Sequence, residues 1–138
     1  MQDINVVIAG AAGEGIQTIG AIVSRAVLAQ GYAVFTWQEY ESRIRGGQNS
    51  YSIRISDEPH NAPLMEADVL LALNAGAVEK YSSIIKKNGI LISGESSEEP
   101  SIRISFSKVA KDELGKKIYA NTVAAGALIG ALGIDLET

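Results

Sequence analysis

A short β-branched run, Ile4-Asn5-Val6-Val7-Ile8-Ala9-Gly10, passes through a glycine-rich turn straight into a helical pattern, and this constrains the chain most. Such a run, ending in glycine, reads as a buried strand. From Gly15 to Gln30 the residues Ile16, Ile19, Ile22, Val23, Ala26 and Val27 recur at helical spacing, and Gly31 stops that helix from the C′ position. Ala33-Val34-Phe35-Thr36-Trp37 is a second strand, which completes a βαβ unit. A crossover of this kind favours a parallel sheet with helices on its faces.

The rest of the chain continues the alternation. Gln38 to Gly47 lacks periodicity and reads as a loop. Ser50 to Ser56 places Tyr51, Ile53 and Ile55 on one face and Ser52, Arg54 and Ser56 on the other, the pattern of a half-exposed strand near a sheet edge. Val69 to Leu73 is another buried strand, with Asn74 at its end. Gly76 to Lys87 reads as an amphipathic helix stopped by Asn88-Gly89, and Ile90-Leu91-Ile92 follows as a strand. Gly94 to Ser101 is a polar loop, Ile102 to Phe106 a last strand, and Val109 to Leu114 a short helix ended by Gly115. Asn121-Thr122 can cap a final helix that is small and apolar on several faces. The expected fold is α/β: a Rossmann-like three-layer sandwich, a mostly parallel sheet with helices on both faces, in one domain over residues 1–138.

Composition narrows the function classes. A net charge of −4 argues against a general nucleic-acid surface. With no cysteine, the chain can form neither a disulfide nor a cysteine-ligated iron–sulfur cluster of its own. One histidine, His60, is too little for a transition-metal centre, and it reads as a surface loop residue without a base or nucleophile beside it. No stretch resembles a signal peptide, and the apolar run from Val123 to Leu132 is shorter than the roughly 20 residues that span a bilayer. The expectation is a cytoplasmic protein without nucleic-acid or membrane partners.

Two segments carry the candidate chemistry. Gly10-Ala11-Ala12-Gly13-Glu14-Gly15 lies where a doubly wound fold binds phosphate, on backbone N–H groups at a helix start. The dinucleotide fingerprint wants glycine where Ala12 stands, and Glu14 adds negative charge at the same end, so a complete NAD site is disfavoured. A tight packing turn and a phosphate site shared with another subunit both remain open. The second segment, Glu39 to Gln48, follows the second strand's carboxyl end. Arg43 and Arg45 alternate around Ile44, suited to phosphate or carboxylate, and Gly46-Gly47 permits close backbone approach. Local ion pairing of both arginines with Glu39 and Glu41 is the competing reading.

The glycine turn, the Ser42-Arg43-Ile44-Arg45-Gly46-Gly47 loop and the Asn121 helix entry, in this order and spacing, resemble the gamma subunit or domain of 2-oxoacid:ferredoxin (acceptor) oxidoreductases. That family includes pyruvate, 2-oxoglutarate, 2-oxoisovalerate and indolepyruvate enzymes. The likeness runs from about Ile4 to the end. Family members usually show G-x-G-G-Q-G, where this chain has Ala12 and Glu14 at the third and fifth positions. The Ser42–Gly47 hexapeptide is most similar to chains in which gamma is fused ahead of alpha. Gamma chains normally continue past the final helix, so the resemblance implies a shortened chain or an excised domain.

The resemblance implies oxidative decarboxylation of a 2-oxoacid to acyl-CoA by a complex, with the isolated chain inactive. Thiamine diphosphate and magnesium would lie between alpha and beta parts, and iron–sulfur clusters in beta or delta parts. Alpha and beta parts are the implied partners, with ferredoxin as acceptor and an oligomeric assembly. This chain would help form the coenzyme A site. Candidate cofactor-binding residues are Gly10, Gly13, Glu14, Gly15, Ser42, Arg43, Arg45, Gly46, Gly47 and Asn121; none is assigned to catalysis or metal. A stand-alone nucleotide-binding oxidoreductase and a ligand-free assembly module are the alternatives.

Overall fold

A computed structural model describes residues 3–11, 15–39, 47–93 and 120–133. The elements are β1 (Ile4–Ala11), α1 (Ile16–Ala29), β2 (Ala33–Glu39), β3 (Gln48–Ser56), β4 (Ala67–Ala72), α2 (Ala75–Tyr81), a 3-10 turn (Ser82–Ile84), β5 (Ile85–Ile92) and α3 (Ala120–Leu132). The strand expected at Ile102–Phe106, the helix at Val109–Leu114 and the Gly94–Ser101 loop lie outside the described residues.

Because β1 is covered on both faces, its apolar run is unbroken. Val6 and Ile8 pack with α1 and α3, through Ile19, Val23, Ala124 and Leu128. Val7 and Ala9 pack on the opposite side with Ala77, Val78 and Tyr81 of α2. The result is a three-layer α/β sandwich. Helix α1 ends as its sequence indicates: Gly31 has φ 90°, its N–H donates to Leu28 O (3.0 Å), and Tyr32 N–H donates to Val27 O (3.4 Å). These two bonds form a Schellman motif, which needs a left-handed residue at that position.

The strand order is β2-β3-β1-β4-β5. β1, β4 and β5 are parallel neighbours, while β3 runs antiparallel to both β1 and β2. Four of the five strands therefore share a direction, with β3 inserted between β1 and β2. The crossover through α1 is present, but it steps over β3 instead of joining adjacent strands.

This insertion corrects the edge reading of β3. The strand is interior, and Ser50, Ser52 and Ser56 are buried, as are Ile53 and Ile55. Alternation reported two distinct faces correctly, but the serines of the polar face are buried as well, because so short a side chain lies below its larger neighbours. The α2 region needs a second correction. The helix ends at Tyr81, where the Ser82 hydroxyl donates back to Val78 O, and β5 already begins at Ile85. Serine competing for the helix's own carbonyls explains the early stop. Asn88-Gly89 lies inside β5 instead of ending a helix. A Cβ on Gly89 would stand 3.0 Å from Ala67 O, beside a register shift between the pairings of Ala67 and Val69, so glycine serves close strand approach there.

Helix α3 buries Ala124, Ala125, Leu128 and Ile129 and leaves Gly126 and Gly130 outward. The apolar surface expected on this helix is thus mostly consumed in the core. Among described residues the exposed large hydrophobics are Leu28 and Met65. No helix among them is long and apolar enough to cross a membrane.

Candidate functional site

Strand pairing gathers the candidate segments at one end of the sheet. Gly10 pairs with Asn49 and Ala11 with Gln48, so the end of β1 lies against the start of β3. Glu39, at the end of β2, pairs with Ser50. Gly47, directly before Gln48, therefore sits at the same edge as the glycine turn. Leu73 N–H donates to Ala9 O (2.9 Å) and draws the end of β4 to this edge as well. In open α/β sheets the carboxyl ends of strands form the ligand-binding crevice.

Gly15 is the N-cap of α1, with φ 85° and ψ 26°, a conformation that favours glycine. It provides no side-chain cap, and the first turn of α1 carries no acidic residue. The N–H groups of that turn have no acceptor within the helix, since the first intrahelical bond runs from Ile19 N–H to Gly15 O (3.1 Å). Gly10 is buried in β1, and Gly15 and Gly47 are half-buried. Gly13, Glu14, Ser42, Arg43, Arg45 and Gly46 lie outside the described residues. Asn121 falls within the first turn of α3, which starts at Ala120 instead of being capped at Asn121.

Next to these residues lies a polar cluster that sequence reasoning did not assemble. Asn74 caps α2: its Oδ1 accepts from Ala77 N–H (2.8 Å), and its Nδ2 donates to Gln48 Oε1 (3.1 Å). Lys80 Nζ and the Tyr81 hydroxyl both donate to Gln48 O, each at 3.4 Å. A Cβ on Gly76 would come 2.8 Å from Gln48 Nε2, so glycine lets the amide lie against the helix start. Asparagine between a buried strand and a helical run is a capping signal in sequence. Gln48 carries no such signal, because its partners are set by strand pairing. On the β2 side, Gln17 Nε2 donates to Gln38 Oε1 (3.0 Å), which ties the first turn of α1 to the strand's end.

At the opposite end of the sheet, Arg54 donates to Asp3 through Nε (2.9 Å) and Nη2 (2.6 Å), and through Nη1 to Ala62 O (2.8 Å). The Arg54 hydrogen bond holds the Asp3 carboxyl below its ordinary range against a smaller opposing effect of burial. His60 Nε2 lies 3.9 Å from Asp3 Oδ2, so this loop histidine has an acidic neighbour that sequence reading did not supply. Among the described residues no three metal-ligating side chains converge.

The fold and its edge define a Rossmann-like α/β domain that presents a glycine-capped helix start at the carboxyl edge of its sheet. Residues 5–138 match the family model described as pyruvate ferredoxin/flavodoxin oxidoreductase, and the chain belongs to that family. It is 30% identical over 139 residues to the 2-oxoglutarate synthase subunit KorC of Archaeoglobus fulgidus, covering 99% of this chain and 74% of that one. The crystal structure of a keto/oxoacid ferredoxin oxidoreductase gamma subunit from Geobacter sulfurreducens PCA superposes with a TM-score of 0.79 at 28% identity, over 97% of this chain and 80% of that one. A 2-oxoglutarate:ferredoxin oxidoreductase from Magnetococcus marinus, with 2-oxoglutarate, coenzyme A and succinyl-CoA bound, gives 0.78 at 29% identity. There the match spans 94% of this chain and 24% of that one.

Proposed function

We propose that this chain is the gamma component of a thiamine-diphosphate-dependent 2-oxoacid:ferredoxin oxidoreductase, packing on alpha and beta parts and helping to form the coenzyme A site. The supporting observation is the near full-length match to a free-standing gamma subunit in one structure and to a quarter of a larger chain in another. A domain that stands alone in one assembly and is fused in another is an assembly component by construction. A chain without cysteine cannot hold a cysteine-ligated cluster, so the iron–sulfur clusters, like thiamine diphosphate and its magnesium, belong to the partner parts.

Coenzyme A fits the residues that are here. It carries phosphates, and the carboxyl edge offers a helix start with neither a side-chain cap nor an acid in its first turn. Arg43 and Arg45 belong to the segment that joins Glu39 to Gly47, both of which stand at that edge. Their role is to hold phosphate through charged hydrogen bonds, with Gly10, Gly13, Glu14, Gly15, Ser42, Gly46, Gly47 and Asn121 shaping the surroundings. The acyl transfer and the redox steps occur elsewhere in the complex.

Steady-state kinetics of the assembled enzyme test this. Arg43→Ala or Arg45→Ala should weaken coenzyme A by about 1.5–3 kcal/mol per lost charged hydrogen bond, seen mainly in its Michaelis constant. Variants that lose stability or assembly while that constant stays put would make the loop architecture instead of a ligand site.

A further inference from the structure

The sheet face that carries α2 is covered unevenly. α2 lies over β1 and β4 and meets β3 at Gln48, but among the described residues no helix lies over β2. The side chains there follow from pairing: Trp37 stands opposite Ser52, and Glu39 opposite Ser50. Two small serines between a tryptophan and the α2 side leave a trough, an open cleft enclosing about 100 Å³. Met65, 84% exposed, stands at its rim, and Asn5 contributes to its floor.

The chemistry of this cleft is one-sided. Among the described residues, Glu39 is the only formally charged one in its lining. Asn5 is 1% exposed, and its Oδ1 is buried without a hydrogen-bond partner. Its amide cannot simply be turned over, because Nδ2 donates to Leu64 O (3.3 Å) and Glu66 O (2.9 Å). That amide lies four residues along the strands from the Glu39–Ser50 pairing, so it belongs to the closed end of the cleft. Among the described residues, Arg54 pairs with Asp3, Lys86 with Asp68 (3.3 Å), and Lys80 lies against the Tyr81 ring. A carboxylate beside an indole, above small serines, calls for a planar cation with an apolar stem.

We propose that this cleft is a socket for an arginine side chain of a partner polypeptide. The guanidinium stacks on Trp37 and forks onto Glu39, while its stem runs past Met65. The volume suits one side-chain head and is far below the several hundred Å³ that hold a free cofactor-sized ligand. Retention therefore depends on a polypeptide surface around the socket. The socket's chemistry stands apart from the assembly proposed above, whereas the bearer of the arginine rests on it.

Trp37 is the only tryptophan, so its emission in the full chain reports on the cleft. Butylguanidinium should give a saturable change and bind about tenfold more tightly than butylurea, its uncharged analogue of similar shape. Glu39→Gln, at an exposed position, should remove most of that preference. The same variant should weaken association with the alpha and beta parts about tenfold, with the coenzyme A Michaelis constant unchanged among complexes that form. Equal binding of butylurea, or a preference that survives Glu39→Gln, overturns the cation socket. A guanidinium response combined with undiminished association overturns the partner arginine and makes the cleft a small-molecule site. If the wild-type chain forms no complex at all, the gamma reading fails, and the titration still decides the cleft's chemistry.

Discussion

The Arg54 side chain, 11% exposed, joins three parts of the chain through one planar group: the entry to β1 at Asp3, the middle of β3, and the β3–β4 connection at Ala62. Charge-assisted bonds of this geometry are stronger than neutral ones, and breaking one side strands the other. The folded carboxyl of Asp3 releases its proton more readily than the unfolded one, whose ordinary value is 3.8. Its contribution to stability is accordingly full at neutral pH and fades as pH falls below that value toward the lowered one. Asp3→Asn should melt below the wild type at about pH 7, and the difference should shrink as pH falls below 3.8. A gap independent of pH would mean that packing around Arg54, not the ion pair, supplies the stability.

The same substitution should have opposite signs on two helices. Gly20 of α1 is buried against β3, and a Cβ there would overlap the Tyr51 ring. Gly20→Ala must push the helix or the ring aside and should cost about 1–3 kcal/mol. Gly126 and Gly130 of α3 face outward, and a Cβ at either meets nothing within 4 Å. There alanine should gain about 0.5–1 kcal/mol each, because glycine loses more backbone freedom in a helix. Urea denaturation of the full chain separates the cases. A neutral Gly20→Ala would show that Tyr51 yields freely and that glycine does not set the α1–β3 distance.

For the whole molecule, one edge of the sheet concentrates glycine-permitted backbone and polar side chains, yet the chain supplies no cysteine, and its described residues no converging metal ligands. We expect the pure chain to decarboxylate neither pyruvate nor 2-oxoglutarate when given thiamine diphosphate and an acceptor dye, with turnover appearing once the catalytic parts are added. Turnover by the pure chain would overturn the proposed role.

The sequence by itself determined the α/β class, the succession of β1 and α1, the helix stop at Gly31 and the burial of β1. Each follows from local rules: periodicity, glycine's access to positive φ, and β-branched runs. Tertiary structure alone decided that β3 returns antiparallel between β1 and β2. Period-two alternation assigns residues to faces but says nothing about which strand lies alongside, or whether water or protein covers the polar face. That placement buried Ser50 and Ser52, set Gln48 against Asn74 and stood Trp37 opposite Ser52. These contacts join residues far apart in the chain, and only the closing of the sheet brings them within reach of one another.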